Sequence, residues 1–224
     1  MCSSDLKEVY LVEEKKQPPL FLKMGELWEE KLGMPHQSLT CYLKVMGHGF
    51  HRPTAERIMA IQKQVGDYQG LSEILEKDIR FTEKPEELIP KLLQLGKIQW
   101  QNLDHVDDAI ETYSKVLKLD EKQMEALDAL QELLTMQKKW KQLLTVLTRK
   151  KDNLNEPDKL LEVISKIGEI QDTRLHSGNL AIRYYERALE LAPHDLELIH
   201  TLQRLYQEWG QAKKLIALDR KSVV

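Results

Sequence analysis

The chain has 224 residues, 42% apolar and 31% charged, with only 10 Gly and 8 Pro. It can therefore build a core with few interruptions to helices, and an all-α class is expected. A formal net charge of −3, with Lys and Arg dispersed along the chain, leaves no electrostatic footprint for nucleic acid; no run approaches the roughly 18 uncharged apolar residues of a membrane span.

The two ends stand apart from the rest. Cys2-Ser3-Ser4-Asp5-Leu6 and Asp219-Arg220-Lys221-Ser222-Val223-Val224 can be encoded by DNA strings that share a reverse-complementary core, and both look like translated sequencing-library adapter. Residues 1 to 6 and 219 to 224 are accordingly expected to be assembly artefacts around an internal piece of a longer gene. The lack of a signal peptide then carries no information, and the cytoplasm is only the default expectation. Outside the suspect ends Cys41 is the sole cysteine, so no intrachain disulfide can form there. Residues 7 to 18, with the apolar run Val9, Tyr10, Leu11 and Val12 before Glu13-Glu14-Lys15-Lys16, read as the tail of a preceding repeat.

From residue 19 the chain says nearly the same thing three times. Gly25, Gly96 and Gly168 stand 71 and 72 residues apart, as do Tyr42, Tyr113 and Tyr185, while Ile58, Leu130 and Leu202 are 72 apart twice. Such a period with helical content indicates a repeat array. The units are expected at 19–87, 88–157 and 158–218. The first is the most worn, with a Gly47-His48-Gly49-Phe50 loop before Arg52-Pro53; the second carries Gly96, Ala109, Tyr113 and Val116, with Glu121 in place of a proline.

The third unit is the clearest. Leu160, Leu161, Val163, Ile164, Ile167 and Ile170 recur at three and four, and Pro157 suits the first turn of that helix. Leu180, Ala181, Tyr184, Tyr185, Ala188, Leu189 and Leu191 form a second helix before Pro193. Leu196 to Tyr206 give a third, stopped at Gly210, and Ala212 to Leu218 begin a fourth. The latter half of each period is a second, degenerate hairpin, in which Tyr68, Trp140 and Ala212 correspond. Each period is thus two hairpins of about 36 residues, about 12 helices in all.

Gly168, Ala181, Tyr185, Ala188 and Pro193 resemble the small, aromatic, small and proline positions of the tetratricopeptide repeat, with one extra residue between the glycine and the first alanine. The likeness covers residues 19 to 218, and the alternation of a regular with a Trp-rich degenerate hairpin is similar to long bacterial arrays of that type. It implies an α-solenoid of antiparallel helical hairpins forming a right-handed superhelix. The glycine and alanines would let two helices approach closely, with the tyrosine filling the gap beside them. By the family's register the groove residues would be Lys97, Trp100, Gln101, Asp128, Glu132, Glu169, Asp172, His200 and Arg204. The carboxylate clamp of chaperone-binding members has no counterpart, since the matching positions hold Leu22 with Glu26, Leu93 with Lys97, and Ser165 with Glu169. A mixed or basic helix or extended peptide is the expected partner.

Chemistry is hard to find. His48 and His51 could contact a metal from their turn, but no third or fourth ligand accompanies them; no metal or cofactor is expected. There is no nucleophile elbow, phosphate loop or metalloprotease pair, and the pairs Glu29-Glu30, Glu86-Glu87 and Asp107-Asp108 suit solvated faces. No catalytic residue is assigned, and the chain is not expected to be an enzyme. The recurring Tyr42, Tyr68, Tyr113, Trp140 and Tyr185 suit the core, whereas Trp28, Trp100 and Trp209 share no single register. The leading expectation is a protein-interaction scaffold that is a fragment of a longer protein. The alternatives are an RNA-binding helical-repeat array, which retention of RNA on a filter at physiological salt would reveal, and the regulatory arm of an enzyme whose catalytic domain lies outside the fragment. Neither end of the array presents a polar cap, so the chain is expected to expose apolar edges and either to self-associate through its ends or to fray. Light scattering should show mass rising with concentration; a sharply monomeric, cooperatively melting protein would contradict this.

Overall fold

Apolar residues at three- and four-residue spacing wind the chain into helices throughout the computed structural model, which describes residues 17–222. The expectations for residues 1–6, 7–16 and 223–224 lie outside the described residues. Twelve α-helices occur among these: α1 Gln17–Glu26, α2 Pro35–Gly47, α3 Arg52–Val65, α4 Tyr68–Arg80, α5 Pro85–Gln101, α6 Val106–Leu119, α7 Met124–Met136, α8 Trp140–Asn153, α9 Pro157–Thr173, α10 Gly178–Leu191, α11 Leu196–Glu208 and α12 Ala212–Ser222. A π-helical turn, Leu27–Lys31, prolongs α1. No strand occurs among the described residues. The all-α expectation is met.

The chain forms two compact units, one up to Thr112 and one from Tyr113, and the division falls inside α6. In the first unit α1 packs on α2, α2 on α3, α3 on α4 and α4 on α5; in the second α7 packs on α8, and each later helix on its successor through α12. Neighbour-on-neighbour packing is the mark of helical repeats. Helix starts follow local chemistry. Pro35, Pro85 and Pro157 each stand at a first turn, where a missing N–H costs nothing. Asp67 accepts a hydrogen bond from Gly70 N at 3.0 Å, and Asp195 accepts from Glu197 N and Leu198 N at 2.9 and 3.2 Å, satisfying orphan donors of α4 and α11.

The period seen in the side chains is also written in the backbone. Gly33, Asp104 and His176, 71 and 72 residues apart, take the left-handed conformation with φ of 61°, 56° and 51°. After each, the next backbone N–H donates to a carbonyl six residues back: Met34 to Trp28, His105 to Gln99, and Ser177 to Gln171. The bond is one residue longer than the usual helix-ending bond beside a left-handed residue, and that residue matches the extra one after the repeat's glycine. The degenerate hairpins also turn through a left-handed residue, at Gly66, Lys138 and Gly210 with φ of 77°, 54° and 67°, but with the shorter five-residue bond, from Asp67 to Gln62, Lys139 to Leu134 and Gln211 to Tyr206 at 2.8 to 2.9 Å.

Each unit has its own core. Tyr42, Ala55, Ile58, Ile61 and Ile74 pack together in the first, while Ala181, Tyr185, Ala188, Leu198, Leu202 and Leu205 belong to one cluster in the second. A buried charge ties α3, α4 and α5. Asp78, 2% exposed, meets Arg52 Nε at 3.1 Å and Lys91 Nζ at 2.6 Å. Both cations also donate to Thr82 Oγ1, whose own hydroxyl donates to the Asp78 carbonyl at 2.7 Å. Two cations and hydrogen bonds satisfy a carboxylate that would otherwise be costly to bury.

At the three matched degenerate turns two copies hold Gly and one holds Lys138. A side chain in the left-handed region crowds the following carbonyl, at a cost of about 1–2 kcal/mol. Lys138→Gly should raise the stability by about 0.5–1 kcal/mol after allowing for glycine's entropy in the unfolded chain, and Gly66→Lys should lower it comparably. Urea unfolding followed by helical ellipticity checks both signs.

Candidate functional site

The residues assigned to a groove lie on first helices of hairpins, and the structure treats them unequally. Lys97 and Gln101 are exposed and Trp100 half-buried on α5; Asp128 and Glu132 are exposed one turn apart on α7. Glu169 is exposed and Asp172 half-buried on α9, and His200 and Arg204 are exposed one turn apart on α11. Asp172 and Arg204 are brought together at 2.5 Å, and Arg204 also holds Glu208 at 3.0 Å. Both carboxylates raise the guanidinium's pKa, Asp172 the more. Asp128 receives Lys150 Nζ at 2.6 Å. Lys97, Trp100 and Gln101 belong to the other unit and stand by themselves.

Asp128 lines an open cleft of about 540 Å³ built by α7, the end of α8 with its following loop, and α9. Met124 and Val163 supply apolar surface there; Asn153, Asn155, Glu156, Lys159 and Glu162 supply polar rim. Lys150 and Lys159 are both committed, to Asp128 and to Glu156 at 2.9 Å, so Glu162 leaves the lining net acidic. Along α9 the acidic row continues through Glu169 and Asp172 at spacings of seven and three, one helical face.

Reading by register alone missed a second acidic cluster, in the first unit. Tyr42 donates its hydroxyl hydrogen to Glu29 Oε2 at 2.7 Å, and Arg57 Nη1 reaches Glu29 Oε2 at 2.9 Å and the Tyr42 hydroxyl at 3.1 Å. Glu30 and Glu26 stand 3.3 and 3.8 Å from the same guanidinium. The signal was available: Glu29 follows Gly25 by four residues, as Asp172 follows Gly168 and Trp100 follows Gly96. The cation was not legible, because Arg57 on α3 and Arg204 on α11 come from different positions of the helix two elements on.

The tryptophans resolve differently. Trp209, which shares no repeat register, packs on α10: a Cβ on Gly178 would overlap its indole nitrogen. Trp140 lies beneath the Arg174 guanidinium at 5.1 Å, a cation–π contact. His51 Nδ1 sits 2.7 Å from Thr54 Oγ1 at the start of α3, and His176 is a turn residue. No group of three or more His, Cys, Asp or Glu that could hold a metal occurs among the described residues. Cys41 is buried, and burial pushes its thiol pKa up, which suits packing rather than reactivity. No helix among the described residues is long and apolar enough to cross a membrane.

No family model and no curated protein matches the chain. Among solved structures it is similar to a crystal structure of MamA protein, at 21% identity over 75% of this chain and 88% of that one, with a TM-score of 0.46. It is similar also to YrrB, a TPR protein with an unusual peptide-binding site, at 13% identity over 84% and 93% of the two chains and a TM-score of 0.45. A thermophilic TPR protein in Thermus thermophilus gives 13% identity over 85% and 99%, with a TM-score of 0.36. Likenesses at these identities and TM-scores assign neither site nor partner. By its own turns and glycine–tyrosine contacts the chain is an all-α, tetratricopeptide-like array of helical hairpins.

The repeat tyrosines give the array an alkaline limit. Burial pushes Tyr42, Tyr113 and Tyr185 up to about 12, helped by the Glu29 hydrogen bond at Tyr42 and by nearby carboxylates at the other two. Burial and the hydrogen bond to Glu186 raise Tyr206 as well. The folded chain therefore keeps these protons after the unfolded chain has lost them. Their stabilisation is complete below pH 10 and falls away as pH rises from 10 to 12. Tyrosinate absorbance and loss of helical ellipticity should rise together in that window; tyrosines ionising near pH 10 with the helices intact would contradict it.

Proposed function

We propose that the chain is a non-enzymatic protein-interaction scaffold that takes a basic or mixed-charge peptide or helix along its first-helix faces. The observation that carries this reading is the cleft containing Asp128, where an apolar floor of Met124 and Val163 meets a net acidic rim. Such a lining suits an amphipathic segment held by apolar contact, with charge setting orientation and partner choice. Glu132, Glu169, Asp172, His200 and Arg204 extend the same role along α7, α9 and α11, and Lys97, Trp100 and Gln101 are assigned to it on α5 by register. Asn153 already gives its amide to Arg149 O at 3.0 Å, so Asn155 is the amide left to meet a peptide backbone.

A Lys-rich peptide with a central Leu, titrated by fluorescence anisotropy, tests the reading. Asp128→Lys and Glu162→Lys should each weaken binding about tenfold, equivalent to about 1.4 kcal/mol, and added salt should weaken the wild type. Binding that is indifferent to both substitutions would remove the α7–α9 assignment. Trp100→Ala tests α5 separately: an unchanged set of captured partners would remove that part.

A further inference from the structure

A second cleft, of about 500 Å³, opens on a different face of the second unit and has the opposite charge. Its lining comes from Lys151 at the end of α8, Leu160 and Ile164 of α9, and Leu180, Arg183, Tyr184 and Arg187 of α10. Three cations and no carboxylate line it, in a chain whose formal charge is −3. Ile164 is buried at 2% exposure, whereas Leu180 leaves 43% of its surface open.

The cations are not equally engaged. Lys151 meets its neighbour Asp152 at 3.2 Å and Arg187 pairs with Glu190, while Arg183 has no ion-pair or hydrogen-bond partner among the described residues. Arg183 and Arg187 are one turn apart on α10 and flank Tyr184, so two guanidinium groups and a half-buried phenol rim an aliphatic floor. Guanidinium forks match carboxylates in pairs. At about 100° per residue, Leu160 and Ile164 lie roughly 130° around α9 from Lys159, Glu162 and Val163, which line the acidic cleft. The two clefts therefore use different faces of one helix.

We propose that this α8–α9–α10 cleft is a separate docking site for an acidic linear segment of another protein, one that seats a single apolar side chain on Leu160, Ile164 and Leu180 and offers flanking carboxylates to Arg183, Arg187 and Lys151. Charge complementarity selects the segment, and the apolar floor selects a side chain beside its carboxylates. A nucleic acid would need a longer basic track and a backbone-following face, which three cations around an aliphatic floor do not make. The array then holds two partners of opposite charge on two margins of one helix, α9.

The probe is a fluorescein-labelled peptide of alternating Glu and Asp with one central Leu, titrated by anisotropy into the full chain at about 0.15 M salt. Saturable binding is expected, weakened about tenfold by Arg183→Glu and again by Arg187→Glu, lessened when the Leu is replaced by Ser, and retained by Lys213→Glu on α12. Tyr184→Ala, with ellipticity unchanged, should also weaken it. The proposal is overturned by an absence of saturable binding, by binding that Arg183→Glu leaves unchanged, or by tighter binding of a single-stranded RNA than of the peptide. Because this probe is acidic and the earlier one basic, the two sites fail independently.

Discussion

Everything in this array depends on how closely two helices approach at the repeat's glycine. A Cβ on Gly25 would overlap the Tyr42 ring, and one on Gly168 would come within 3.1 Å of the Tyr185 ring. Glycine is costly inside a helix, by roughly 1 kcal/mol relative to alanine, so its presence there reflects the packing. The tyrosine ring fills the space the missing side chain leaves, as the resemblance implied. The same contact places chemistry at the surface: in the first unit the buried ring ends in a hydroxyl beside Glu29, one turn beyond the glycine. A residue four beyond the glycine must lie on the same helical face. Glu29, Trp100 and Asp172 therefore occupy one structural position with three different side chains.

Much of this was legible because it is local or periodic. Helix spacing, the prolines at first turns, Gly210 as a left-handed stop and the 72-residue double hairpin can all be read within short windows or by self-comparison. The recurrent left-handed residues were only half legible. Gly33, Gly66 and Gly210 announce a turn, but Asp104, Lys138 and His176 hold the same backbone conformation with ordinary side chains, and the phased comparison of copies is what exposes them. The apparent freedom of Trp209 dissolved for a non-local reason, since Gly178, which makes room for it, begins a different helix.

The ion pairs between helices were the least legible, because their partners come from different helices and no periodicity records them. Asp78 collects Arg52 from α3 and Lys91 from α5. One period later the matching residue is Lys150, which turns to Asp128 and to Gln131 Oε1 at 2.6 and 3.0 Å. The sign of the charge reverses while the helical frame stays. Removing one member of a buried pair costs more than the pair itself contributes, so such a reversal requires its partners to change too. Two neighbouring copies of one fold thus carry different electrostatics at the same place.

Net charge conceals this. A value of −3 spread over 224 residues suggests a mildly acidic surface. It says nothing about how charges are sorted onto helix faces. On α9 an acidic row, Glu162, Glu169 and Asp172, runs along one face, while the aliphatic Leu160 and Ile164 turn toward the arginines of α10. The sorting follows from helical geometry, because residues two apart point to nearly opposite sides and residues three or four apart share one. A repeat helix flanked by two hairpin partners has more than one margin left to solvent, and each margin can take its own charge. In such an array the repeated geometry is intramolecular packing, and under the proposed reading discrimination among partners would fall to the margins where the copies differ.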